Sequence, residues 1–597
     1  MWGMFLRRNR KRKNGQEYEY WTLVKTVRTA RGPRQQIVAS LGKLPGLDEE
    51  ERIGWEEIGR LLDGHPQTTS KAAASGHISA DPPHWAHVDV SRIRVERVRD
   101  FGQVYVGLAL WRQLGFHEFF SQEIPRGREL VDWATISCIL SLGRFCNQGS
   151  ELALVERWYS KTALDDLLGV SCQDIYDNRL YRCLDQMLPL RGKLFLHLRN
   201  RYESLFGSRF EFLLYDVTST YFEGQCEKNL QAQRGYSRDQ RFDCKQICLG
   251  LVVTPEGLPL AYEIFPGNRA DVTTVEQIVM LMEEKYGKAS RIWMMDRGMT
   301  SEENLEFLRD REAMYIVGTP KAQLRKFEKA LLEQADWKQV RPGVEVKLVS
   351  HPDGLGQEQY VLCRSQARHE KESAMLRNQR NRLREKLIQI DTSLRKKGAN
   401  PIHIERKVGK WLGRNTAAEK IFNVEVLVEK GKAVGLHFEE KNTHLDWANH
   451  AHGAYLLRTN CLEEDPQKLW TWYMQLTQVE DAFQSSKSDL GLRPVYHQLE
   501  HRVQAHVMVC FIALTLWRCF EMWLQDAGLG NCARQALKEL NTIRSLDVIL
   551  PIKNKADIRL RVVSKPEKLA HDLLCRLKLK IPSKPKIIKN VVENLGV

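Results

Sequence analysis

The sequence predicts an α/β protein. Its core is a mixed sheet, interrupted by a β-rich insertion and preceded by a helical region and a basic β-ribbon. Three observations carry this. From residue 211 the hydrophobic pattern reads strand, strand, strand, helix, strand, helix, strand. Residues 321–455 then alternate like short strands around one long charged helix. Residues 18–43 are β-rich and 96–207 are helix-patterned. A chain of 597 residues is too long for one ordinary domain, so three to five units are expected.

The elements follow in order. YEYWTLVKTVRTARGPRQQIVASLGKL has two β-rich runs flanking ARGP, which predicts a two-stranded ribbon within a basic region 1–63. GHPQTTSKAAASGHISADPPH (64–84) is small and polar and opens a linker 64–95. Residues 96–207, with VDWATISCILSLGRF as a clear helical run, are read as a helical DNA-binding domain, with a helical scaffold as the alternative. The first part of the core is 208–320. EFLLYDVTSTYFEG is a strand, and CKQICLGLVVTPEGLPLAYEIFPGN is two strands around TPEG. Helix 273–286 has Thr273 and Glu276 in capping-box spacing, and helix 301–311 repeats the pattern with Thr300 and Glu303. RIWMMDRG and AMYIVGTP are the remaining strands. In the insertion, helix 369–397 carries a seam of Leu376, Leu383, Leu387, Ile390 and Leu394, closed by Gly398. That seam is expected to pack locally, with dimerisation as a second use. The core resumes at 456–525, and 526–597 is a basic C-terminal region. VMVCFIALTLW (507–517) is too short to span a bilayer and reads as buried helix.

The chain has 90 Lys and Arg against 75 Asp and Glu, a formal charge of +15, which points to a polyanionic partner. RRNRKRK (7–13) and the stretch from Lys553 to Lys589 concentrate that charge, and such blocks repel themselves unless phosphates neutralise them. Thirteen Cys occur singly, with no CxxC, which predicts reduced cytoplasmic thiols rather than a zinc site. The basic N-terminus is not followed by an apolar run, so it does not read as a secretory signal.

Two acids stand at costly places. Asp216 lies inside the first strand of the mixed sheet, among Leu213, Leu214 and Tyr215, and Asp296 closes the fourth strand after Trp-Met-Met. In an RNase-H-like sheet the first and fourth strands are neighbours, so the two carboxylates would converge. In YMQLTQVEDAFQSSK (473–487), Leu476, Val479 and Phe483 make one buried stripe with Glu480 beside it. A helix packed on the sheet could bring Glu480 to the two Asp. Three hard oxygen ligands suit Mg²⁺ or Mn²⁺, and two such ions suit in-line phosphoryl displacement. Each acid also has an ordinary reading: a local Asx bond for Asp216, a turn for Asp296, a solvated helix charge for Glu480. Asp239 and Asp243 read as loop residues, and Asp271 as the start of a helix.

Four passages resemble a known family: LLYDVTSTYFEG, RGYSRDQRFDCKQICLGLVV, MMDRGM, and YMQLTQVEDAFQSSKSDLGLRPVYH. They resemble the DDE transposases of the IS4 superfamily, most closely the IS1634 group of bacterial insertion sequences. RGPRQQIVASLGKL adds to the match, which runs from about residue 4 to 520. The resemblance implies an RNase-H-like catalytic core with its triad on Asp216, Asp296 and Glu480, holding two Mg²⁺ or Mn²⁺ ions. It also implies a β-rich insertion between the second Asp and the Glu. Of the signature Tyr-x2-Arg-x3-Glu-x6-Lys, Tyr473, Glu480 and Lys487 match, while Leu476 stands at the Arg position. By resemblance Lys487 holds a phosphate of the transposon end and Tyr473 positions it. Spacing by seven would align 473, 480 and 487 on one helix face. Trp337, Trp411 and Trp447 are candidates for an insertion-domain aromatic that stacks on a flipped base. The implied protein cuts at the ends of an insertion sequence and joins the 3′-OH ends to target DNA. It would act as a homodimer in the synaptic complex, in a bacterial cytoplasm. Two alternatives are a nuclease without joining activity and a non-catalytic DNA-binding derivative.

Overall fold

The computed structural model describes residues 4–13, 16–29, 32–42 and 87–588, the last apart from 209, 289–290, 355–357 and 553–555. The chain divides into two compact units, 1–86 and 87–597. Residues 64–86 of the expected linker lie outside the described residues. The first unit is a three-stranded antiparallel sheet of β1 (Met4–Lys13), β2 (Gln16–Thr29) and β3 (Gly32–Gly42). The two expected strands, β2 and β3, pair down to Thr29 and Gly32. The difference is β1, which carries RRNRKRK and pairs with β2 from Met4–Lys25 to Lys13–Gln16. Its cations hid it.

In the second unit, β4 (Arg94–Asp100) opens the described chain. The helices α1 (Trp133–Cys146), α2 (Asp177–Met187) and α3 (Arg191–Phe206) follow. A meander of β5 (Phe212–Tyr221), β6 (Gln246–Val253) and β7 (Pro259–Pro266) comes next. Helix α4 (Val275–Tyr286) then leads to β8 (Ile292–Met295), and α5 (Glu302–Arg309) to β9 (Met314–Gly318). Strands β5 to β7 pair antiparallel, while β8 runs parallel to β5 and β9 parallel to β8. The order β7-β6-β5-β8-β9 is a general RNase-H-like architecture. Every residue of QICLGLVV and IWMM is buried, because helices cover both faces and the strands need a continuous apolar run. The helix starts shift by one. Ser301, not Thr300, caps α5 by accepting from Asn304 N, and Thr273 donates back to Ala270 O instead of capping α4.

The insertion is less separate than its pattern implied. β10 (Lys338–Arg341), β11 (Val344–Ser350), β12 (Gln359–Ser365) and β15 (Ala454–Thr459) extend the same sheet, giving nine strands in the order β10-β11-β12-β15-β9-β8-β5-β6-β7. Alternation marks a strand but not its partner, so the pattern could not show that β15 pairs with β9. The piece with its own core is the hairpin β13 (Phe422–Glu429) and β14 (Lys432–Glu440), with α6 (Gln366–Lys396) and α7 (Pro401–Arg414). All five seam residues of α6 are buried there, against Ile404, Val408, Phe422 and Leu436. Leu383→Ala should therefore cost roughly 2–5 kcal/mol within this piece. Hydrogen exchange is expected to rise across 366–440 while the nine-stranded sheet keeps its protection.

The core closes with α8 (Pro466–Met474), α9 (Thr477–Ser488) and α10 (Glu500–Asp526). By length and composition α10 could cross a membrane, but 78% of its apolar window is buried in the protein. It is the central helix of the main core, which also takes in α1 to α3. Phe195 of α3, Tyr262 of β7 and Phe511 of α10 meet as one aromatic cluster. The helical region thus shares the core of the sheet. The C-terminal region also differs from its expectation. β16 (Arg544–Leu550), β17 (Ile558–Val563) and β18 (Lys586–Ile588) form a sheet with β4 in the order β18-β17-β16-β4. Arg559 pairs with Glu96, and Arg561 with Asp547 and Asp166. Acids distant in sequence neutralise these cations, which a local charge count cannot see.

Candidate active site

Adjacent parallel strands set the first two acids. β5 and β8 pair in register up to Tyr215 and Met295, so Asp216 and Asp296 each follow the last pair. The Asp216 carboxylate accepts only from the neighbouring Val217 N, at 2.7 Å. Burial pushes it up to about 7, against the Val217 bond and the Arg238 charge, and with the help of Asp296 and Asp271. Asp296 is exposed at the start of the turn Arg297–Met299, and its side chain makes no cap bond. A local bond therefore does not account for Asp296, and the single Val217 bond leaves most of Asp216's accepting capacity free.

Glu480 comes from α9. Val479, Ala482 and Phe483 are buried, and the helix lies on β5 and β6. Glu480 itself is exposed, and its carboxyl is raised by partial burial and then by the charges of Asp296 and Asp481. The expected single helix over 473–487 is broken. It ends at Met474 and restarts at Thr477, with tight i→i+3 bonds from Leu476 N to Tyr473 O and from Gln478 N to Gln475 O. Buried Leu476 anchors the joint. Tyr473 is thus on α8, and only Glu480 and Lys487 share α9.

Tyr473 lines a cleft of about 400 Å³ with Asp296, Arg297, Lys321, Arg341 and Arg368. A Cβ on Gly318 would come within 2.7 Å of the Tyr473 hydroxyl, so a side chain at the end of β9 would displace Tyr473. The three Trp are elsewhere: Trp337 stacks under Arg364, Trp411 lies by Lys386 and Arg414, and Trp447 by Arg325. Lys487 is not an exposed helix cation. Its Nζ donates to Asp239 Oδ1 at 3.0 Å, and only 9% of the side chain is exposed.

Sequence reasoning passed over several residues. Arg238 pairs with Asp271, and both act on Asp216 electrostatically. Asp239, read as a loop residue, is buried between Lys487 and Arg493. The available signal was the charge-rich SRDQRFD just before β6.

Among the described residues, one trio brings metal-type ligand atoms within 4.8 Å: Glu151, His497 and His506. Asp216, Asp296 and Glu480 do not close that far. This trio, with Glu151 from the helical region and His497 and His506 at and on α10, is the candidate metal-binding cluster, with imidazole donors that suit softer metals than Mg²⁺. Arg144 already reaches into it, 3.4 Å from Glu151 and 3.1 Å from His506 Nδ1. Burial and then the Arg144 charge lower His506 to about 3. Burial would raise Glu151, but His497 and Arg144 hold it well below the carboxylate range. The sign follows. An unfolded His506 binds its proton near 6.5 and the folded one only near 3, so its contribution is complete above 6.5 and is lost as pH falls towards 3. Thermal melting should show stability falling across that window, and His506→Gln should flatten part of the slope.

Residues 207–516 match the transposase DDE domain, which defines the class as a DDE-type transposase. Residues 6–75 match the N-terminal domain of IS1634 family transposases. The chain belongs to the IS1634 family of DDE transposases. No curated protein matches it. Among solved structures it is similar to a piggyBac transposase synaptic complex with hairpin DNA determined by cryo-EM. The identity is 10% and the TM-score 0.33, over 73% of this chain and 79% of that one.

Proposed function

We propose that this protein cuts DNA at the ends of an insertion sequence and joins the freed 3′-OH ends to target DNA, with Asp216, Asp296 and Glu480 as its catalytic carboxylates. The observation that carries this is the in-register placement of Asp216 and Asp296 on adjacent parallel strands, with Glu480 on a helix laid against them. The donor set fits Mg²⁺ or Mn²⁺: hard carboxylate oxygens, with Asp216 and Glu480 shifted upward by neighbouring acids as well as by burial. The three acids would hold one or two such ions, which polarise the scissile phosphate and the attacking oxygen. Arg238, tied to Asp271, balances part of the acid charge beside Asp216. Arg297, Lys321, Arg341 and Arg368 would bind strand phosphates in the cleft beside Asp296, with Tyr473 fixing their position. Positioning and electrostatics then carry the rate, and no protein side chain becomes covalently attached.

Two ends must be held at once, so the working form is read as a homodimer on DNA. Cytoplasmic placement in a bacterium is part of the same reading. Incubation of pre-cut element ends with target DNA and Mg²⁺ tests it. Joined products are expected, whereas cutting without joining would make the protein a nuclease.

A further inference from the structure

The cations around Asp239 form a feature that the acid cluster does not explain. The Asp239 side chain is 5% exposed, and its Oδ1 accepts both from Lys487 Nζ and from the Arg493 guanidinium. Its Oδ2 is buried with no hydrogen-bond partner. Arg238 also lies within electrostatic reach of Lys487, but Asp271 balances it. Two cations are left facing one carboxylate. A structural ion pair needs one, and the second, Arg493, keeps about a third of its side chain open to solvent, where another anion can reach it.

The chain builds this arrangement firmly. Lys487 sits in the last turn of α9. Arg493 lies on a segment pinned to the end of β5: Thr220 Oγ1 donates to Leu492 O at 3.1 Å, Val495 N to Tyr221 O at 2.9 Å, and Glu223 N to Val495 O at 2.9 Å. Arg238 N donates to Ser219 Oγ, on the strand that carries Asp216. The Arg493 side chain is 34% exposed and donates to Asp239 through one of its two terminal nitrogens. A guanidinium has five N–H donors, so a fork remains for a second anion.

We propose that Arg493 is a further phosphate-binding residue, acting on the same DNA phosphodiester that the family signature assigns to Lys487, with Asp239 as the positioning residue that holds both side chains in place. This rests on the transposase reading for the kind of anion, and its test is separable from that reading. Binding of a short blunt duplex of random sequence is measured in EDTA over a series of salt concentrations, where no cutting occurs. Arg493→Gln should lower the slope of log K against log salt by about 0.9, the loss of one phosphate contact. Arg493→Lys should restore the slope. Asp239→Asn removes a negative charge, so it should bind the duplex no more weakly. It should melt below the parent, because it breaks a buried ion pair, and, assayed where it is still folded, cut element ends in Mg²⁺ at least about tenfold more slowly, a cost of ~1.4 kcal/mol. An unchanged slope in Arg493→Gln, or parental cutting by Asp239→Asn, overturns the proposal. If Asp239→Asn does not fold, the Arg493 slope decides alone. A parent that binds duplex but never cuts defeats the transposase reading and leaves the slope test intact.

Discussion

Asp216→Ala should abolish Mg²⁺-dependent cleavage of element ends, by a factor on the order of 10³ or more, the scale of removing a central electrostatic group from an active site. The fold should survive, because Asp216 is held by one bond from its neighbour and its burial is unfavourable to the charged form. The substitution removes an electrostatic cost, so melting should be unchanged or raised while DNA binding persists. A gel assay on duplexes taken from the DNA on either side of the gene, with circular dichroism alongside, checks both halves. A variant that cuts like the parent would remove Asp216 from the chemistry.

The largest expected effect on stability lies elsewhere. Arg144→Ala should destabilise the protein by about 3–5 kcal/mol, the usual cost of breaking a buried ion pair by deleting one partner. Arg144 is buried on α1 beside Glu151 and His506, and it also donates to Gly491 O and Gln148 O. Its loss leaves the Glu151 charge buried with only His497 against it. Urea unfolding followed by tryptophan fluorescence measures the change. Arg144→Lys should fall between, since an ammonium keeps the charge but cannot span the same set of acceptors.

Much of the core was legible in the sequence because its elements obey local rules. The β5–β9 run has uninterrupted apolar strands and helices of ordinary length, and acids inside such strands are conspicuous. The α6 seam was legible for the same reason, since its five residues keep one period over the whole helix. Most of the misses depended on partners far away in sequence. β10 to β12 alternate like any strands, and only the pairing of β15 with β9 joins them to the core sheet. The C-terminal cations looked unbalanced because their acids lie at Glu96 and Asp166. The break between α8 and α9 is a local exception: it falls in a stretch with unbroken helical periodicity, and four i→i+3 bonds between Trp472 and Val479 make it. Lys487 fitted an exposed helix position by spacing, and its burial comes from Asp239 on a loop more than two hundred residues away. Asp271 was placed correctly at a helix start, but its pairing with Arg238 beside Asp216 has no local signature.

The central claim is that the metal sits on the three carboxylates, and Mn²⁺ binding followed by electron paramagnetic resonance tests it most directly. The described residues offer two candidate places: Asp216, Asp296 and Glu480 at the sheet, and Glu151 with His497 and His506 where the helical region meets α10. We expect Asp216→Asn, Asp296→Asn and Glu480→Gln each to weaken Mn²⁺ binding, and His506→Gln to leave it unchanged. Binding that survives all three acid substitutions and disappears in His506→Gln would contradict the account.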